Sequence, residues 1–131
     1  VELSELLVRI RGERLGLAAI EPEVSSLRST LEASGRDPSQ FYVVLADVEL
    51  RRGRPLLAIQ NLVNAARVAV EPTPILKRAV ELAEANGAWS QAEAIWARLG
   101  DIHPEQPDYR SSAQRAHQRS VLVPSALLGG L

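Results

Sequence analysis

Apolar residues recur along this chain at steps of three and four. Residues 39–52 place Phe41, Val44, Leu45 and Val48 on one side, with Leu50 at its edge. Residues 56–70 do the same with Ile59, Leu62, Val63, Ala66 and Val70. Residues 74–86 repeat the pattern with Ile75, Leu76, Ala79, Val80, Leu82 and Ala83, and residues 90–99 with Ala92, Ile95, Trp96 and Leu99. Each set is the buried stripe of an amphipathic helix, because a strand would alternate with period two. Two earlier stripes are Leu3, Leu6, Leu7, Ile10 and Val24, Leu27, Leu31. Residues 111–119 predict a polar helix whose small apolar face is Ala113 and Ala116.

The breaks fall at glycine and proline. Gly12 and Gly16 interrupt the first stripe, and Pro22 belongs in the first turn of the next helix. Gly35, Gly53, Gly87 and Gly100 each follow a stripe, where a left-handed residue closes a helix. Ser39, with Asp37 nearby, caps the helix after Pro38. Helices of roughly 10–15 residues with connections this short pack as antiparallel neighbours. The fold class is therefore all-α.

The breaks and the small residues also repeat. Gly53 and Gly87, Ala58 and Ala92, Leu62 and Trp96, and Pro38 and Pro72 are each 34 residues apart. A helix–turn–helix period of 34 is the mark of the tetratricopeptide repeat, and the chain resembles that family. One repeat is 39–72, carrying Tyr42, Leu45, Ala46, Gly53, Ala58, Leu62 and Ala65 at signature positions. The next is 73–106, carrying Leu76, Ala79, Val80, Gly87, Trp89, Ala92, Trp96, Leu99 and Pro104. Residues 5–38 fit as a degenerate first repeat and 107–119 as a solvating cap, so 1–119 forms one repeat domain and 120–131 an apolar tail. Val80 departs from the small residue of the pattern, and Glu49 and Ala83 stand where an aromatic is usual.

The resemblance implies an α-solenoid of antiparallel helix pairs that binds another protein or peptide in a concave groove lined by the first helix of each pair. On that register the groove carries Val43, Asp47 and Leu50, then Lys77, Glu81 and Glu84, then Arg115. Asp47 and Glu81 would stack as an acidic ladder; the alternative is an ordinary exposed face. The carboxylate clamp of chaperone-docking members is not expected, since its positions hold Val43, Asp47, Arg78, Asp108 and Ser112.

Composition narrows the function further. The chain has 131 residues, a net charge of −1, no cysteine and no methionine. The charge balance argues against nucleic acid and against a polybasic membrane anchor. The absence of cysteine removes disulfides and thiolate metal sites, and no apolar run approaches the roughly 20 residues of a membrane span. The missing initiator methionine suggests a processed chain or a piece of a longer protein. His103 and His117 read as turn and surface residues, and neither a Gly-x-Ser-x-Gly elbow nor a phosphate-cradling glycine loop is present. No catalytic residue, metal site or cofactor is expected.

Two clusters have two readings each. Arg51, Arg52 and Arg54 form a basic patch for a phosphate or an acidic partner, or else a solvated turn. Trp89 and Trp96 form a ligand-stacking pair, or else fill the core at signature positions. The tail, with Val121, Leu122, Val123, Leu127, Leu128 and Leu131, is expected to run extended past Pro124 and to dock on the solenoid or on a second copy.

The sequence thus predicts a non-enzymatic interaction scaffold, a soluble module of a larger bacterial protein or assembly; a chain without cysteine suits cytoplasm and periplasm alike, with cytoplasm favoured over periplasm. The alternatives are an accessory domain of an enzyme and a self-associating module that forms a homo-oligomer through the solenoid ends or the tail.

Overall fold

The computed structural model describes the backbone of residues 2–130 and the side chains of residues 2–122. Seven α-helices follow one another: α1 (Glu2–Leu15), α2 (Glu21–Ser34), α3 (Ser39–Arg51), α4 (Pro55–Val68), α5 (Thr73–Ala85), α6 (Trp89–Ile102) and α7 (Pro107–Gly130), with a 3-10 turn at Leu17–Ile20. No strand occurs among the described residues. The chain divides into two compact units, Val1–Ile75 and Leu76–Leu131.

In the first unit α3 packs along α4, and α1 packs on α2 and α3. The stripes of α2 and α3 meet in a core of Val8, Ile20, Leu27, Leu31, Phe41, Val44 and Val48, with Leu17, Val24, Tyr42 and Leu45 against it; α1 enters it through Val8, while its expected stripe of Leu3, Leu6, Leu7 and Ile10 is exposed. From α4, Ala58, Ile59, Leu62, Ala65 and Ala66 are buried. Gly12 reads in the sequence as a break, yet it lies inside α1. A Cβ there would meet Val48 Cγ1 at 3.0 Å and Leu17 Cδ2 at 3.2 Å, so the glycine lets α1 approach α3. The helix closes at Leu15, and Arg52 donates Nη1 hydrogen bonds to the Gly12 and Glu13 carbonyls at 3.4 and 2.9 Å. The Gly12 carbonyl also accepts the Gly16 N–H at 2.8 Å, so Arg52 chiefly serves the Glu13 carbonyl and sets a cation at the helix C-terminus.

Asp37, two residues before α3, holds its entry. Its Oδ1 accepts the Ser39 N–H at 3.0 Å, and Oδ2 accepts the Val70 N–H at 3.5 Å. The Ser39 backbone hydrogen bond foremost holds the Asp37 carboxyl below its usual range. A depressed carboxylate stabilises the fold above its unfolded value, near pH 4, and that contribution is lost as pH falls through the folded value. Asp37→Ala is expected to lower stability by about 1 kcal/mol at pH 7, as loss of an N-terminal cap does. The difference from wild type should shrink below about pH 4, where wild type loses the same interaction by protonation. Chemical denaturation at pH 7 and pH 3 checks this; a difference that is equal at both would refute it.

The second unit is built from α5, α6 and α7. Leu76, Ala79, Val80 and Ala83 of α5 are buried, as are Ala92, Ile95, Leu99 and Gly100 of α6. Among the described residues of α7, Tyr109 and Ala116 are buried, and α7 packs along α6. Gly53 and Gly87, at φ 73° and 69°, occupy the left-handed conformation expected for helix closure, which glycine adopts without steric cost. Gly100 does not. It lies inside α6, which continues to Ile102. A Cβ on Gly100 would lie 3.1 Å from Arg110 Cγ, so its role is close approach to α7.

The tail also differs from expectation. α7 is helical through Gly130 instead of turning extended after Ser120. Pro124 removes one donor from the ladder, but the Leu- and Ala-rich stretch around it favours helix strongly enough to continue. Val121 and Leu122 are 55% and 66% exposed. The predicted docking of Val123, Leu127, Leu128 and Leu131 lies outside the described residues. Among the described residues, no helix is long and apolar enough to cross a membrane.

Candidate functional site

Few residues of the predicted groove are free groups. On α3, Val43, Asp47 and Leu50 are half-buried. Asp47 Oδ2 accepts a hydrogen bond from Arg9 Nη1 of α1 at 2.8 Å, and Arg9 Nε also reaches Glu5 Oε2 at 3.3 Å. Asp47 therefore ties α1 to α3. On α5, Lys77 and Glu81 are exposed, and the Lys77 ammonium lies 5.9 Å from the Tyr109 ring centre. Glu84 is half-buried and accepts the Trp96 indole N–H at 3.1 Å.

The basic patch is similarly divided. Arg52 serves the end of α1, and Arg51 Nη1 lies 3.9 Å from Glu13 Oε2. Arg54 is exposed. The three guanidiniums do not form one open anion site.

The structure gathers a different constellation in the second unit. A cleft of about 300 Å³ opens between side chains of α5, α6 and α7. Trp89 and Trp96 line it from α6, seven residues or two turns apart and so on one face. Glu84 lines it from α5, and Ser112, Arg115, Ala116 and Arg119 line it from α7. Each group is held by a neighbour. Trp96 stacks on Tyr109 with ring centres 5.8 Å apart, and its indole N–H is fixed by Glu84. The Arg119 guanidinium lies 4.6 Å from the centre of the Trp89 ring, a cation–π contact. Arg115 Nη2 donates to Ser112 Oγ at 2.9 Å.

Both arginines are exposed. Among the described residues, neither is in an ion pair with a carboxylate. The cleft is therefore lined by two indoles from α6, two cations from α7 and one carboxylate from α5 that is bonded to Trp96. Two of its residues, Glu84 and Arg115, belong to the face expected from the sequence. Arg119 and Ser112 were missed; the available signal was Tyr109, one aromatic in an otherwise polar helix and the residue that seats α7 on α6. Trp89 and Trp96 answer to both of their readings, since each is half-buried and each lines the cleft.

On the far side of the α6–α7 pair, His117 Nδ1 lies 2.9 Å from Glu93 Oε1. Both groups line an open depression with Ala97, Ala113, Gln114 and Gln118, and no hydroxyl nucleophile is among its lining residues. Among the described residues, no group of three His, Asp or Glu side chains is placed to hold a metal ion. Comparison with protein families, curated proteins and solved structures returns no match.

Proposed function

We propose that this chain is a non-enzymatic interaction module that holds a peptide segment of another protein in the Trp89–Trp96–Arg115–Arg119 cleft. The observation that carries the reading is that two half-buried indoles line one cleft with two exposed guanidiniums that, among the described residues, have no carboxylate partner. Trp and Arg are the side chains most enriched among binding hot spots, because they combine large contact area with directed polar groups. A second strand of support concerns the repeats. Gly53 and Gly87 share the same left-handed backbone, and Ala58 and Ala92 are both fully buried, which is the equivalence that a 34-residue tetratricopeptide-like period requires.

A selection from a random peptide display library tests this function. The expected result is enrichment of a shared motif whose binding is lost in Arg115→Glu while helicity and melting temperature stay unchanged. Selected peptides that bind wild type and Arg115→Glu equally, or the absence of any enriched motif, would overturn it.

One observation favours a second reading, self-association. Leu3, Leu6, Leu7 and Ile10 form an exposed stripe on α1, with Leu3 at 72% exposure. Contiguous apolar surface of this kind marks protein contacts. Under this reading the chain has a multiple of its monomer mass at micromolar concentration, and Leu6→Glu with Ile10→Glu returns it to one.

A further inference from the structure

We infer that the ligand of the cleft is an acidic peptide segment, with carboxylates at two alternate positions followed by an apolar side chain. This rests on reading the cleft as a peptide site and adds the chemistry of the peptide.

The rim sets the charge. Arg115 and Arg119 are four residues apart on α7, so they project from the same face with Cβ atoms about 5–6 Å apart. Side chains at positions one and three of an extended peptide point the same way and are about 6.5–7 Å apart. Two glutamates at that spacing can each meet one guanidinium, and guanidinium–carboxylate pairs form short, paired hydrogen bonds. Arg115 is restrained by Ser112 and Arg119 by the face of Trp89, so both rim groups begin partly ordered.

The floor sets the rest. The charged groups lining the cleft are Glu84, Arg115 and Arg119, a net excess of one cation. Glu84 sits beside Trp96 and already accepts its N–H. A third carboxylate at that end would face Glu84, so the residue over Trp96 must be uncharged. Position five of an extended peptide faces the same way as positions one and three, and an apolar or aromatic side chain there reaches the indole surface.

Phosphates of single-stranded nucleic acid share the affinity for arginine and tryptophan, but such ligands are held in a basic groove that tracks several nucleotides. Here the cations number two and the whole chain carries −1, which favours the short acidic peptide.

The test is a calorimetric titration with three blocked pentapeptides. Each has phenylalanine at position five and serine at two and four, with glutamate, glutamine or lysine at positions one and three. The glutamate peptide is expected to bind at least tenfold more tightly than the glutamine peptide, and the lysine peptide to bind weakest. Arg115→Gln and Arg119→Gln should each weaken the glutamate peptide by about tenfold or more, with unchanged melting temperatures. Equal binding of the glutamate and glutamine peptides, or tighter binding of the lysine peptide, would overturn the acidic assignment while leaving the cleft a peptide site. A ten-nucleotide single strand that outcompetes the glutamate peptide would overturn it in favour of phosphate. If none of the three peptides binds, the inference fails, and the display selection then decides independently whether the cleft takes any peptide.

Discussion

Leu62→Ala lowers the unfolding free energy by about 2–5 kcal/mol, the range for removing a leucine from a packed interior. Leu62 is 0% exposed and stands in the middle of α4, one turn beyond Ala58, where α4 lies along α3. The truncation loses the transfer energy of the removed carbons. It also leaves a cavity that the surrounding packed side chains can fill only by shifting, which adds to the cost. The reverse change at the neighbouring turn is also unfavourable. Ala58 is fully buried, and Ala58→Leu forces extra volume into a helix crossing, at a cost of about 1–3 kcal/mol. Urea unfolding followed by circular dichroism measures both. A loss below about 1 kcal/mol for Leu62→Ala would mean that α3 and α4 do not pack as described.

Asp47→Lys destabilises the first unit by about 1–3 kcal/mol, in the range of a charge-assisted hydrogen bond lost from a partly buried site. The side chains of Arg9 and Asp47 are 29% and 24% exposed and joined at 2.8 Å. The substitution removes the carboxylate and brings a second cation towards Arg9. Asp47→Asn keeps the size and an acceptor, and should lose less. Glu81→Lys is the contrasting case: Glu81 is exposed, and a change there should stay within about 0.5 kcal/mol. Thermal melts of the three variants separate these outcomes. Equal effects at positions 47 and 81 would contradict the assignment of Asp47 to the α1–α3 contact.

Asp47 also shows where sequence reasoning stops. Its place on α3 follows from the stripe Phe41, Val44, Val48, which leaves 47 outside the apolar face. Its partner lies 38 positions away, and no periodicity connects the two. The helices were legible because stripe and punctuation agree. Residues 39–52, 56–70, 74–86 and 90–99 correspond to α3, α4, α5 and α6 within a few residues at each end. Glycine was legible only where it follows a stripe and a turn is needed, as at Gly35, Gly53 and Gly87. Gly12 and Gly100 look the same in a single sequence, but they serve close helix approaches that depend on Val48 and Arg110. The 3-10 turn at Leu17–Ile20 carries no distinct pattern, and Pro124 read as a break although α7 passes through it.

The cleft was half legible for the same reason. Glu84 and Arg115 followed from helical register. Arg119 required knowing that Tyr109 seats α7 on α6, which brings a part of α7 about three turns further on over Trp89. The two tryptophans were visible as a pair two turns apart, but spacing alone does not say whether a ring faces a neighbouring helix or a cleft. In this structure one face of the Trp96 ring lies on Tyr109 while the residue lines the open space.

The two indole N–H resonances of a nitrogen-15-labelled sample test most directly whether a peptide is held at the Trp89–Trp96 cleft as proposed, since the chain has two tryptophans. On addition of the glutamate–phenylalanine pentapeptide, both indole signals and the backbone amides of 112–119 are expected to shift together and saturably, while the amides of 39–51 stay in place. Shifts confined to α1 or α3, with both indole signals unmoved at saturating peptide, would contradict the account.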